Sequence, residues 1–349
     1  MYIHYLQKKY RDPVPQKIIF TFTLLVFFSK SISQEVDFTF NHRSHYARHI
    51  IPDPLLIPRQ FHGLSDSIPK NKGRLWLVGG TQAALWVGSF VALNQFWYAD
   101  YPRSSFHFFN DIKEWNQMDK FGHVFTTFFV SNISSKMWKW AGLSHKRAVW
   151  YGAISAIAYQ SIIEVLDGYS EEWGFSIPDM GANFLGAAIF VAQELTWEEK
   201  RLRLKLSFFG HDYPKEVKPR YDELFGTSFV ERYLKDYNSQ TYWLSVNPRS
   251  FFRNSKFPAW LNIATGYSSD LMLGGTQNTW TDEQGVFHDR SDLDRTRRFY
   301  LAPDIDFTRI PTNSKFLKHL FLLMGAIKMP APTLELNSQG KVRGHWLYF

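Results

Sequence analysis

Residues 164–187 read Glu164-Val-Leu-Asp167-Gly168-Tyr-Ser-Glu-Glu-Trp-Gly-Phe-Ser176-Ile-Pro-Asp179-Met-Gly-Ala-Asn183-Phe-Leu-Gly186-Ala187. Gly168 is a helix stop, and Ser176 with Asp179 three residues later is the pattern of an N-terminal capping box. One helix therefore closes at Asp167 and another opens at Ser176. Helical spacing sets Glu164 and Asp167 on one face of the first, beside Gln160, and Asp179 and Asn183 on one face of the second. Upstream, Asp119-Lys120-Phe-Gly-His123 opens a third helix, with Asp119 and His123 on a shared face. These faces are otherwise apolar, and ionisable groups in such surroundings are costly unless paired. Lys120, His123, Glu164, Asp167 and Asn183 are thus expected to converge in one pocket between helices.

Each residue has a plainer role as well. Asp119 can cap its helix, and Ser176 with Asp179 can do no more than cap theirs. Asp167 sits at a helix C-terminus, where a carboxylate opposes the dipole, so it and Glu164 call for a cationic or metal partner, with His123 and Lys120 the candidates. A buried ion-pair network and a catalytic site both satisfy this pattern. In the catalytic reading His123 is acid or base, and Glu164 or Asp167 orients it or holds a divalent metal. Lys120 then stabilises negative charge, and Asn183 donates a hydrogen bond. Asp119, Asp179 and Asn183 stand as binding residues. No nucleophile-elbow serine, phosphate loop or His-Glu-x-x-His motif occurs.

Working outward, Leu75 to Tyr98 is a 24-residue uncharged run ending in three aromatics, long enough to cross a bilayer. Phe121 to Ser135, Ala148 to Ile163 and Met180 to Gln193 are shorter apolar segments with glycine and alanine spaced for close helix packing. Beyond residue 200 strand-like runs appear at 241–246, 260–265, 298–301, 305–310, 333–336 and 342–349, interrupted by one apolar helix at 316–327. The charged stretch Glu198 to Lys205 reads as amphipathic. The expected fold is mainly α: a membrane-associated bundle of about four apolar helices with a C-terminal β-rich extension. Its divisions are a signal peptide at 1–33, an extended segment at 34–72, a helical domain at 73–200 and the extension at 201–349.

The signal peptide is read from basic residues, the eleven-residue run Ile18 to Phe28, and small residues before a cut after Ser33. His42, His45 and His49 in the lead-in read as a solvated face. The net charge of +8 includes five basic residues and one acid in residues 1–33, leaving about +4, too little to argue for nucleic acid. With 18% aromatic residues and a mean hydropathy of −0.28, the chain is expected to place rings at an interface as well as inside. There is no cysteine, which excludes disulfides, thiolate metal sites and a lipidated cysteine, and for an exported chain fits a bacterial envelope. Phe349 is a terminal aromatic of the outer-membrane kind and favours that membrane. The Leu347, His345 and Arg343 sharing its face argue against a barrel strand, so a small antiparallel element is expected.

The order FHFFND (106–111), EWNQMDKFGH (114–123), an apolar helix and then the 164–187 segment resembles the YfiM-like family of bacterial envelope proteins of unknown function. More distantly it is similar to the VanZ-like pattern. The resemblance covers roughly residues 75–195 and implies a helical, membrane-associated envelope domain. The matched positions are Asp119, Lys120, His123, Glu164, Asp167, Asp179, Asn183 and Gly186. It implies no reaction, so three function classes stay open: an envelope scaffold or binding protein whose partner is a membrane lipid or envelope component, a hydrolase or transferase on a lipid-linked or cell-wall substrate, and a transporter component.

Overall fold

The computed structural model describes residues 71–98, 102–210, 213–282 and 284–349. The expected signal peptide and the histidine-bearing lead-in up to residue 70 lie outside the described residues.

Helix α1 (Lys72–Leu93) is capped by Asn71, whose side chain accepts from the Arg74 N–H at 3.1 Å, and it runs into a π-helical turn at Asn94–Tyr98. Helices α2 (Met118–Trp140), α3 (His145–Asp167) and α4 (Ile177–Thr196) follow. All three are longer than the apolar segments that announce them, because their ends carry polar and aromatic residues. α2, α3 and α4 pack on one another about Phe128, Val149, Ala153, Ala187 and Phe190. Glycine makes this possible: a Cβ on Gly152 would stand 2.6 Å from the Ser131 carbonyl oxygen, and one on Gly186 only 2.3 Å from that of Val124. α1 joins them through polar side chains, with Gln82 donating to Ser134 at 2.7 Å and Tyr159 to Ser89 at 2.9 Å.

The short parallel pair β1 (Phe108–Phe109) and β2 (Phe175–Ser176) ties the segment before α2 to the start of α4. The turn into α2 is unusual. Trp115, Asn116 and Gln117 have φ of 47°, 49° and 63°, three consecutive non-glycine residues in the left-handed region. The second half of the molecule holds them there: Gly275 O accepts from the Trp115 N–H at 2.6 Å, Ser269 from the Asn116 amide at 2.7 Å, and the Asn116 carbonyl from Tyr267 at 2.6 Å.

That half is a six-stranded antiparallel sheet in the order β10-β9-β8-β5-β4-β3, built from β3 (Leu202–Phe208), β4 (Gln240–Val246), β5 (Leu261–Asp270), β8 (Thr296–Ile305), β9 (Ala331–Asn337) and β10 (Val342–Tyr348). A small hairpin, β6 (Thr279–Thr281) and β7 (Phe287–Asp289), and the short helices α5 (Lys218–Phe225), α6 (Phe229–Lys235) and α7 (Pro248–Phe251) fill the connections. Register puts Leu206, Tyr242, Tyr267, Phe299, Leu336 and Val342 in one cross-strand row. The β3 to β5 part of this row packs on Met118 and Phe125 of α2. Lys205, Trp243, Gly266, Tyr300 and Glu335 form a row on the opposite, polar face, and that face is buried. The sheet curls about it: Tyr348 of β10 hydrogen-bonds Tyr300 at 2.6 Å and its ring lies 6.3 Å from Trp243 of β4. Residues 326–328 extend the β3 edge by backbone bonds to Leu206, carrying Lys328 inside. Residues 311–323, with most of helix α8 (Lys315–Met324), belong to a different compact unit from the sheet and helices above.

Several expectations are corrected. Among the described residues two helices, α1 and α3, are long and apolar enough to cross a membrane by length and composition, not about four. The amphipathic stretch Glu198 to Lys205 becomes β3 from Leu202 onward, with Arg203 and Lys205 on the buried side and not facing solvent. Residues 305–310 are not a strand, since Phe307–Arg309 is a 3-10 turn capped by Asp306. The sheet is larger than a hairpin layer, but it has six strands and not the eight of the smallest closed barrel.

Candidate functional site

The site is assembled at the helix ends nearest the left-handed turn. Lys120, in the first turn of α2, is buried, and its Nζ lies 2.7 Å from each of Asp111 Oδ2, Asp119 Oδ2 and Asp179 Oδ1. Ser176 caps α4 as the capping pattern predicts, accepting from the Asp179 N–H at 3.0 Å. The same hydroxyl donates to Asp111 Oδ1 at 2.6 Å, so cap and cluster are one structure. Asp119 is not a helix cap here; it holds the backbone N–H and ammonium of Lys120.

Burial alone would lower the Lys120 pKa, but Asp119 and Asp179 overcome it and hold the ammonium well above the ordinary lysine value. Asp111 is affected by burial in the opposite sense. Hydrogen bonds with Asp179, Lys120 and Ser176 outweigh that burial and keep its carboxyl below the usual range. Burial pushes Asp119 up and Asp179 up to about 6, with Lys120 and His123 pulling each back.

One helical turn further into α2 stands His123. Its Nδ1 is 3.1 Å from Asn183 Oδ1, which also accepts from Thr127 at 2.9 Å and Gln160 at 3.3 Å. Gln160 Nε2 lies 3.3 Å from the same Nδ1, so that nitrogen meets both a carbonyl oxygen and an amide donor. The other nitrogen, Nε2, faces Glu164 Oε1 at 3.6 Å and Asp179 Oδ1 at 3.7 Å. Glu164 is 1% exposed; its Oε2 accepts from the Ser176 N–H at 3.3 Å, while Oε1 accepts no hydrogen bond.

The structure thus brings together Lys120, His123, Glu164, Asp119, Asp179 and Asn183. It does not bring in Asp167, which accepts from Tyr98 at 2.6 Å and has neither Lys120 nor His123 in hydrogen-bonding range. Gly168 ends α3 with φ of −57°, so it is not a left-handed cap; a Cβ there would meet the Phe106 ring at 2.4 Å. Asp111 is a member of the site that sequence reasoning missed; it lies outside regular α-helix, where spacing carries no facing information. An open cleft of about 690 Å³ among Leu261, Ile263, Leu301, Leu334 and Trp346 shares no lining residue with the cluster.

Residues 107–194 are similar to the family described as "Predicted periplasmic lipoprotein (DUF2279)". That segment contains Asp111 and every residue of the cluster. The match supports an uncharacterised bacterial envelope family; the lipoprotein part of the description requires a cysteine, and none occurs among these 349 residues. No curated protein and no solved structure matches the chain.

Proposed function

We propose that this is an exported bacterial envelope protein, associated with a membrane, whose helical layer is a scaffold or binding module organised around the Lys120, His123, Glu164 and Asp179 cluster. The observation that carries the reading is an inverted distribution of polarity. Trp76 on α1 is 82% exposed, Ile154 on α3 60% and Phe184 on α4 53%, whereas Thr127, Ser131 and Asn132 of α2, Gln160 of α3 and Asn183 of α4 are buried. A water-exposed bundle has the opposite arrangement, and an extended apolar exterior marks a surface that meets lipid or another protein. The periplasmic description of the matching family and the resemblance to the YfiM-like and VanZ-like patterns support an envelope location. Alkaline carbonate extraction and flotation with phospholipid vesicles test it: the protein should stay with membranes and float. Complete release by carbonate with no flotation overturns it.

The second reading, a hydrolase or transferase on a lipid-linked or cell-wall substrate, draws on one feature. The His123 side chain is 19% exposed, the most accessible of the site's ionisable groups in the His123, Glu164 and Asp179 trio. His123 would act as acid or base beside Glu164. Against it, the three ion pairs of Lys120 leave that ammonium committed to carboxylates and not to substrate charge. Turnover of a lipid-linked substrate that His123→Ala abolishes, at unchanged fold, would favour this reading.

A further inference from the structure

We propose that His123 Nε2, Glu164 Oε1 and Asp179 Oδ1 form a binding site for a divalent transition metal of the zinc class. These three atoms lie within 4.8 Å of one another. The separations of Nε2 from the two carboxylate oxygens, 3.6 and 3.7 Å, exceed a hydrogen bond. They suit ligands sharing an ion: ligand distances of about 2.0 to 2.2 Å around a tetrahedral Zn2+ put neighbouring ligand atoms about 3.4 Å apart.

The surroundings of the ring are compatible with ligation. Asn183 Oδ1, 3.1 Å from Nδ1, can take that nitrogen's proton, and in that tautomer Nε2 turns its lone pair toward two carboxylate oxygens. Acceptors facing acceptors repel unless a cation lies between them. A ligating histidine whose second nitrogen donates to a fixed carbonyl is the usual supporting arrangement for a metal ligand. Glu164 supplies the third argument. It is almost completely buried, yet Oε1 accepts no hydrogen bond; nor do Asp179 Oδ1, which pairs with Lys120, and Asp304 Oδ1, which faces Lys328. Charge agrees: the Lys120 ammonium is shared among Asp111, Asp119 and Asp179, and among the described residues Glu164 has no lysine or arginine partner.

In the other acidic trio, Asp111, Asp119 and Asp179, Lys120 Nζ already bridges all three carboxylates, whereas of the proposed ligands only Asp179 Oδ1 is shared with that ammonium. One imidazole with two carboxylates favours Zn2+ over Mg2+ or Ca2+, which prefer full oxygen coordination. The inference rests on reading the cluster as a binding site and not on the membrane reading.

Titration of the full-length, chelator-stripped protein with Zn2+, Co2+, Mg2+ and Ca2+ tests it. The expected result is one Zn2+ per chain, at least about 100-fold weaker in both His123→Ala and Glu164→Gln, with Mg2+ and Ca2+ far weaker in the wild type. Glu164→Gln keeps the side-chain shape, and circular dichroism of the stripped variants checks their fold. Nitrogen NMR of wild-type histidines is a readout that needs no variant: Zn2+ should shift His123 Nε2 and leave Nδ1 protonated. Absence of saturable Zn2+ binding, binding unchanged in both variants, or an unshifted His123 overturns the proposal. Flotation of the same preparations reports separately on the membrane reading, since these substitutions leave the apolar exterior intact.

Discussion

Lys120 is a buried cation that owes its charge to three carboxylates, so its removal should be felt chiefly through what it leaves behind. Lys120→Met strands Asp111, Asp119 and Asp179 in mutual repulsion and is expected to cost about 3–5 kcal/mol in chemical denaturation, the range for broken buried pairs. Loss of under about 1 kcal/mol would show that the carboxylates are solvated or protonated instead. Most of this site is legible in the sequence, because Lys120, His123, Glu164, Asp179 and Asn183 occupy helical positions whose period fixes their facing. Asp111 is illegible: it precedes α2 across an irregular turn, and only the β1 and β2 pairing brings it to Ser176. Asp167 misleads for a related reason. The π-helical turn after α1 delivers Tyr98 to it, and helical spacing within α3 says nothing about that turn.

Among the elements, the helices declare themselves and one strand does not. Leu202-Arg-Leu-Lys-Leu-Ser-Phe208 alternates as a strand should, yet its charged members point to the buried side, contrary to the usual assignment. The same polar interior supplies a pH test. Lys328 is fully buried, with Asp304 at 3.9 Å, and burial lowers its pKa to about 8, Asp304 opposing. A folded-state pKa below the unfolded value of 10.5 means that the unfolded chain binds more protons between the two, so stability should rise as pH goes from 8 to 9. Urea denaturation should show that rise in the wild type and a flatter profile in Lys328→Met; identical slopes would refute the assignment. Helix packing has its own test. Gly186→Ala drives a Cβ into the Val124 carbonyl and should cost about 1–3 kcal/mol or more. Gly181→Ala on the same helix meets nothing within 4 Å and should be neutral or stabilising by up to about 1 kcal/mol. Equal effects on thermal unfolding would contradict the close approach of α4 to α2.

For the whole molecule, the informative surface is the apolar one. Trp76, Ile154 and Phe184 make few buried contacts, so Trp76→Gln, Ile154→Gln and Phe184→Gln combined should leave stability within about 1 kcal/mol while weakening vesicle flotation. Unchanged flotation would remove these faces from the membrane contact. Composition foretells such a surface only in outline. Aromatic abundance with a slightly negative mean hydropathy says that rings are shared between inside and outside, but which rings face out depends on interior polar pairs that no local pattern displays.

The left-handed turn at Trp115, Asn116 and Gln117 carries a consequence for kinship. Holding three such residues costs on the order of 1–2 kcal/mol apiece, and the atoms that hold them belong to Tyr267, Ser269 and Gly275, well past the end of the 107–194 family match. The sheet therefore works as a jig that sets the first turn of α2, and with it Lys120 and His123. A relative that shares only the matched segment inherits the side chains without the tool that aligns them, and must carry a clamp of its own or keep its cluster in a looser geometry.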